Sequence, residues 1–103
     1  MLVEIRHYTI KPGRRDEFVA WFETEVLPAM TRAGMTILGV FTGVDDPDSF
    51  FYLRSFRDEA ERATLTEAFY SSNEWLGGMR EKALEMETGY KVHLVRSTAV
   101  SPI

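Results

Sequence analysis

Alternating and helical hydrophobic spacing follow one another along this chain in a fixed order, and that order limits the folds open to it more than any other feature. From Leu2 to Ile10, β-branched and aromatic residues alternate with charges, the mark of a strand. Lys11-Pro12-Gly13 breaks the run. From Arg14 the period changes, and Phe18, Trp21, Phe22, Val26, Ala29, Met30 and Ala33 fall three and four residues apart on one helical face. Pro28 removes a backbone donor inside that helix and predicts a kink, while Gly34 is placed to end it.

Thr36–Val44 reads as a second strand and Phe50–Phe56 as a third, joined by the turn Asp45-Asp46-Pro47-Asp48-Ser49. A turn this short makes the two an antiparallel hairpin. Asp58, with Glu61 three residues on, has the spacing of a capping box and opens a helix running through Phe69. Ser71 and Glu74 repeat the signal, so a further helix is expected from about Ser72, presenting Trp75, Leu76, Met79, Ala83 and Met86. Gly77-Gly78 weakens it, and Thr88-Gly89 is expected to end it. Tyr90–Ser97 is the last strand and Thr98–Ile103 a tail.

Strand, helix, strand, strand, helix, strand is the ferredoxin-like βαββαβ arrangement, an α+β fold with a four-stranded antiparallel sheet covered by helices on one face. With 103 residues the chain makes one domain, residues 1–97, followed by the tail 98–103. A register in which positions of the first and last strands sum to 100 sets Glu4 opposite Arg96, Ile5 opposite Val95, His7 opposite His93 and Ile10 opposite Tyr90. The plainly apolar set Val3, Ile5, Leu38, Val40, Phe51, Leu53 and Val95 is expected beneath the helices. Glu4, Arg6, Tyr8, Phe41, Tyr52, Arg54, Phe56, Val92, Leu94 and Arg96 are expected on the opposite face. That face mixes aromatics with charge, so it needs a cover, and a second copy of the chain is the simplest one.

Net charge of −4 argues against nucleic acid and anionic membrane as partners. With no cysteine there is no disulfide, thiol nucleophile or thiolate metal site. Glu4 and Arg6 interrupt the first apolar run, so no secretory leader is expected, and no stretch approaches a membrane span. The expected location is the cytoplasm.

The stretches VEIRHYTIKPGRRDEF at 3–18, LGVFTG at 38–43, FYLRSFRDEAERA at 51–63 and SSNEW at 71–75 resemble the NIPSNAP family. Glu4-x-Arg6-x-Tyr8-Thr9 followed by Lys11-Pro12-Gly13 carries most of the likeness. The resemblance implies a dimeric α+β barrel: two ferredoxin-like subunits whose open sheet faces pack together around a cavity. One departure is Arg54-Ser55-Phe56, where the family often has a tryptophan-arginine-tyrosine run. Most bacterial members have no assigned activity, so the resemblance implies architecture rather than a reaction.

Candidate chemistry collects on the mixed face. Arg6 and Arg54 offer forked donors for an anionic or carbonyl group, Tyr8 and Tyr52 add hydroxyls, and Phe41 and Phe56 add apolar walls. The competing reading puts both arginines in salt bridges and pairs Glu4 with Arg96. His7 and His93 are too few for a structural metal site and, on this face assignment, point toward the helices; a reversed assignment would make them acid/base candidates. Trp21, Phe22 and Trp75 read as core, and Asp45, Asp46 and Asp48 as a turn. No metal or cofactor is called for. The expectation is a homodimer binding a small hydrophobic or aromatic molecule in a cavity at the sheet face. Catalysis without a cofactor stays open beside it, as a monooxygenase or isomerase of the dimeric-barrel kind, and so does a non-catalytic interaction protein.

Overall fold

The computed structural model describes Met1–Ile103. Its elements are β1 (Leu2–Ile10), α1 (Arg15–Trp21), a π-helical turn (Phe22–Val26), α2 (Leu27–Arg32), β2 (Thr36–Thr42), β3 (Ser49–Phe56), α3 (Glu59–Tyr70), a second π-helical turn (Trp75–Met79), α4 (Arg80–Met86) and β4 (Glu87–Arg96). The strands form one antiparallel sheet in the order β2-β3-β1-β4, which is the ferredoxin-like arrangement. No helix is long and apolar enough to cross a membrane.

Local chemistry explains the boundaries. The kink at Pro28 takes the form of the widened turn just before it, where Leu27 N–H reaches back to the Phe22 carbonyl. A proline clashes with the carbonyl four residues earlier, and a π-helical turn relieves that clash. After α2, Gly34 N–H bonds the Thr31 carbonyl and Met35 N–H the Met30 carbonyl, with Gly34 at φ +96°. That is a Schellman ending, which needs a residue free to adopt positive φ. Asp58 accepts from Glu61 N–H at 2.8 Å, and Glu61 returns the bond one residue early, to Arg57 N–H at 3.1 Å. Ser72, not Ser71, accepts from Trp75 N–H. The following helix is broken at Gly78, at φ +133°. Thr88 and Gly89 lie within β4 instead of ending a helix, and β2 stops at Thr42, short of Val44.

Two expectations about the sheet are overturned. The β1–β4 register sums to 98: Leu2 faces Arg96, Val3 faces Val95, His7 faces Lys91 and Tyr8 faces Tyr90. The Tyr8 and Tyr90 rings stack with centroids 5.3 Å apart, a contact the other register forgoes. Glu4 therefore faces Leu94, not Arg96, and the two histidines are not opposite one another.

The faces are also exchanged. Glu4, Arg6, Tyr8, Phe50, Tyr52, Arg54 and Phe56 are buried beneath the helices. Tyr8, Phe50, Tyr52 and Phe56 share one core with Phe18, Trp21, Phe22, Met30 and Phe69. The side turned away from the helices holds Val3, Ile5, His7, Phe51, Leu53 and Val95. Large aromatics fill the space under two helices better than β-branched residues, and the arginines among them are bonded to the Glu4 carboxylate, so burial does not leave them bare. A bulge at Leu38, between Ile37 and Gly39, shifts the parity of β2. Val40 consequently lies opposite Tyr52 on the helix side, and Phe41 opposite Phe51 on the open side, half exposed.

Replacing Gly34 by alanine forces a side chain into positive φ, with its Cβ 3.3 Å from a Leu65 methyl. Urea unfolding of this variant is expected to show a loss of roughly 1–2 kcal/mol.

Candidate functional site

The site is built around one carboxylate. Glu4 and Arg6 point to the same side of β1 because they are two residues apart, and the β1–β3 register sets Arg54 directly opposite Glu4. Glu4 Oε1 accepts from Arg6 Nη1 at 3.0 Å and from Arg54 Nε at 2.5 Å, while Oε2 accepts from Arg62 Nε of α3 at 2.6 Å. Glu4 and Arg54 are each 1% exposed. Burial pushes the Glu4 carboxyl up, but Arg54, Arg62 and Arg6 together outweigh it and hold the group below its ordinary range.

Arg6 and Arg54 donate further within the network. Arg6 Nε and Nη2 donate to the Tyr8 hydroxyl at 3.1 and 2.9 Å, and Arg54 Nη1 donates to the Tyr70 hydroxyl at 3.1 Å. The Arg6 guanidinium lies 5.5–5.8 Å from the ring centres of Tyr8, Tyr52 and Tyr90, within cation–π range. Burial raises the Tyr8 and Tyr52 phenols, so both stay protonated at neutral pH.

A cavity of about 520 Å³ opens over this network, between the sheet and the second pair of helices. Its floor is Glu4, Arg6, Tyr8 and Arg54. Arg62, Thr66 and Tyr70 descend from α3, one turn apart. Trp75, Arg80, Ala83 and Leu84 form the outer wall, and Glu87, Tyr90 and Val92 close the β4 side. Four guanidiniums thus meet two carboxylates in one space, so the cavity is electropositive in a chain of net charge −4. Arg80 makes no ion pair, and the buried Thr66 hydroxyl has no hydrogen-bond partner. Glu87 stands in no ion pair either; burial raises its carboxyl to about 7, with Arg6 pulling the other way.

Of the residues singled out from sequence, Arg6, Tyr8 and Arg54 line this cavity. Tyr52 stands behind Tyr8, stacked on it at 5.8 Å, and belongs to the hydrophobic core. Phe56 is buried with its ring 5.9 Å from the Arg54 guanidinium. Phe41 is on the far side of the sheet, away from the cavity. The cavity therefore sits within the single chain, on the helix side, and not at the open sheet face where sequence placed it.

Reversing the faces does not bring the histidines to it, because the cavity moved with the helix side. His7 lies on the open side, its ring stacked on Phe51 at 4.2 Å. Its Nε2 is 2.9 Å from Ser49 Oγ, which donates to Asp46 Oδ2 at 2.8 Å. His93 lies opposite Ile5 on the same open side. Sequence reading missed Arg62, Thr66, Tyr70, Arg80 and Glu87. Their signal was helical spacing: 62, 66 and 70 share one face of α3, 80, 83 and 84 share one face of α4, and Glu87 opens β4 directly after it.

The fold and site define a ferredoxin-like α+β domain with a charged cavity under its helices. A NIPSNAP family model matches residues 3–102, and the chain belongs to that family. An uncharacterized NIPSNAP domain protein from Burkholderia xenovorans is 22% identical, with each chain covered in full and a TM-score of 0.91. A NIPSNAP family protein with unknown function from Agrobacterium tumefaciens is 19% identical at a TM-score of 0.90, over 99% of this chain and 92% of that one. A putative antibiotic biosynthesis monooxygenase from Nitrosomonas europaea shares the fold at 15% identity and a TM-score of 0.71, over 94% of this chain and 98% of that one. No protein of curated function matches.

Glu4→Gln leaves three guanidiniums around a neutral amide, and breaking a buried ion cluster in this way costs about 3–5 kcal/mol, measurable by urea unfolding. For the wild type, the contribution of Glu4 is present above pH 4.5 and is lost as pH falls below that value. Glu87 has the opposite sign. Between 4.5 and about 7 the folded chain keeps a proton that the unfolded chain has released, so stability falls as pH rises through that window. Glu87→Gln is expected to raise Tm at pH 8 and to leave it unchanged at pH 4; an equal shift at both would contradict this assignment.

Proposed function

We propose that this chain is a cytoplasmic, homodimeric protein whose cavity binds a small molecule with an anionic group and an aromatic or otherwise apolar body. One observation carries the reading: an electropositive cavity inside an acidic chain, with unpaired Arg80 and an unpartnered Thr66 hydroxyl among its walls. At about 520 Å³ it lies in the range of small-molecule sites. Arg6 donates to Glu4 and Tyr8, and Arg54 to Glu4 and Tyr70, so these side chains form a rigid floor. Capture of the anion falls to Arg62 and Arg80, which have donors left over. Tyr70, Trp75, Leu84 and Tyr90 supply apolar walls. Tyr52 and Phe56 support the floor from behind.

The dimer reading rests on the open sheet face. Ile5, Phe41, Phe51, Leu53 and Val95 make it apolar, with Phe41 and Val95 substantially exposed. The monooxygenase reading is supported only by a likeness of fold at 15% identity.

Trp75 in the cavity wall makes binding measurable by fluorescence. Phenylacetate and phenylpyruvate are expected to quench it. Arg62→Ala and Arg80→Ala should each weaken the interaction about 10- to 100-fold, the loss of one charge-assisted bond. Unchanged affinity in both variants would remove the anion site from this cavity. In sedimentation, wild type is expected as a dimer and Leu53→Asp as a folded monomer; a monomeric wild type would refute the interface.

A further inference from the structure

A base is needed wherever a bound carbonyl compound is to lose a carbon-bound proton, and the cavity holds two carboxylates. Glu4 is excluded from that role: its two oxygens accept from three guanidiniums, which hold it as an anion and make it a poor base. Tyr8 is a protonated phenol that already accepts two bonds from Arg6. The histidines are on the other side of the sheet. Glu87 alone is a carboxylate in the cavity wall with no ion-pair partner.

Its mounting is rigid. Glu87 begins β4 opposite Ile10, directly after the buried Met86, whose carbonyl accepts from Lys11 N–H at 2.8 Å. Arg6 is close enough to act on its charge, and Thr66, whose buried hydroxyl has no hydrogen-bond partner, lines the same cavity.

We propose that Glu87 is the catalytic base of this cavity, taking a proton from the carbon next to the carbonyl of a bound 2-oxo carboxylate. This rests on the binding function proposed above and names a substrate class for it. A 2-oxo acid fits the donors in sequence. Its carboxylate meets Arg62 and Arg80, and the adjacent carbonyl oxygen meets Thr66 or Tyr8. An aromatic tail lies against Trp75 and Tyr90. The C–H bond breaks, its electron pair becomes the carbon–carbon π bond of an enolate, and the carbonyl pair moves onto oxygen. Glu87 carries the proton. Return to oxygen gives the enol and return to carbon regenerates the ketone, so the step is an isomerisation that needs no oxidant or reductant. Arg6 and the Tyr8 hydroxyl stabilise the enolate charge from fixed positions in the cavity floor. A positioned base of this kind supplies about 10²–10⁴-fold in rate.

The pH dependence follows from the groups around it. Glu4, Arg6 and Tyr8 on β1, Arg54 on β3, Arg62 and Tyr70 on α3, Arg80 on α4 and Tyr90 on β4 are the charged and titratable groups that share the cavity with it. The three arginines beside Glu4 hold its carboxyl below the ordinary range, and burial pushes the Tyr8 phenol up. Glu87 is a base only when ionised, so the rate should rise with pH through about 7 and then level off.

The test uses phenylpyruvate in D2O, with proton NMR following loss of the methylene signal and Trp75 quenching measuring affinity on the same samples. Wild type is expected to exchange the methylene protons faster than buffer. Glu87→Gln should lose that excess by 100-fold or more while binding the probe as tightly as wild type or tighter. Binding without exchange in wild type, or equal exchange in Glu87→Gln, overturns the role of Glu87 and leaves the binding function standing. No quenching by phenylpyruvate overturns both.

Discussion

The carboxylate of Glu4, shared by Arg6, Arg54 and Arg62, is the interaction on which the rest of this structure depends. It joins β1 to β3 and to α3 beneath the helices, where an unpaired charge would be prohibitively costly. Three cations on one anion leave positive charge unneutralised, and the space above them is where that charge is felt. The ion cluster and the electropositive cavity are therefore one feature. The pairing that makes these charges tolerable in the interior also prepares the site for an anion.

The two ends of the helical layer play different parts. α1 and α2 press Phe18, Phe22 and Met30 onto Phe50 and Tyr52, giving a close-packed aromatic core in which Phe22 and Tyr52 lie 4.7 Å apart. Under the second pair of helices the sheet presents Glu4, Arg6 and Arg54 instead of a second aliphatic layer, and there the cavity opens. Gly78, at positive φ, breaks that pair between Trp75 and Arg80 and lets both reach the cavity wall. Packing density and binding space are thus divided along the sheet.

Element order was legible because period changes and caps are local: Gly34 and Asp58 mark helix ends by chemistry confined to a few residues. The choice of sheet face was not. Val3, Ile5, Phe51 and Leu53 form the more hydrophobic stripe, and a rule based on hydropathy alone buries them under the helices. The structure buries Glu4, Arg6 and Arg54 instead, because an ion cluster closed by Arg62 from another element removes the penalty that hydropathy assigns to each charge singly. Arg6, Tyr8 and Arg54 were recognised as belonging together; Arg62, Arg80 and Glu87 were not, since nothing in a strand pattern shows which helix will face it.

By itself the sequence determined the βαββαβ order, the helix ends at Gly34 and Asp58 and the absence of thiol chemistry, all set by residue type and near-neighbour spacing. Tertiary structure alone decided the β1–β4 register, the face that the helices cover and the place of the cavity. Those depend on contacts between residues tens of positions apart, such as Tyr8 with Tyr90 and Glu4 with Arg62. A two-residue slip of β4 keeps every side chain on its original face, so alternation cannot detect it. Only the stacking and charge partners across the sheet distinguish one register from the other.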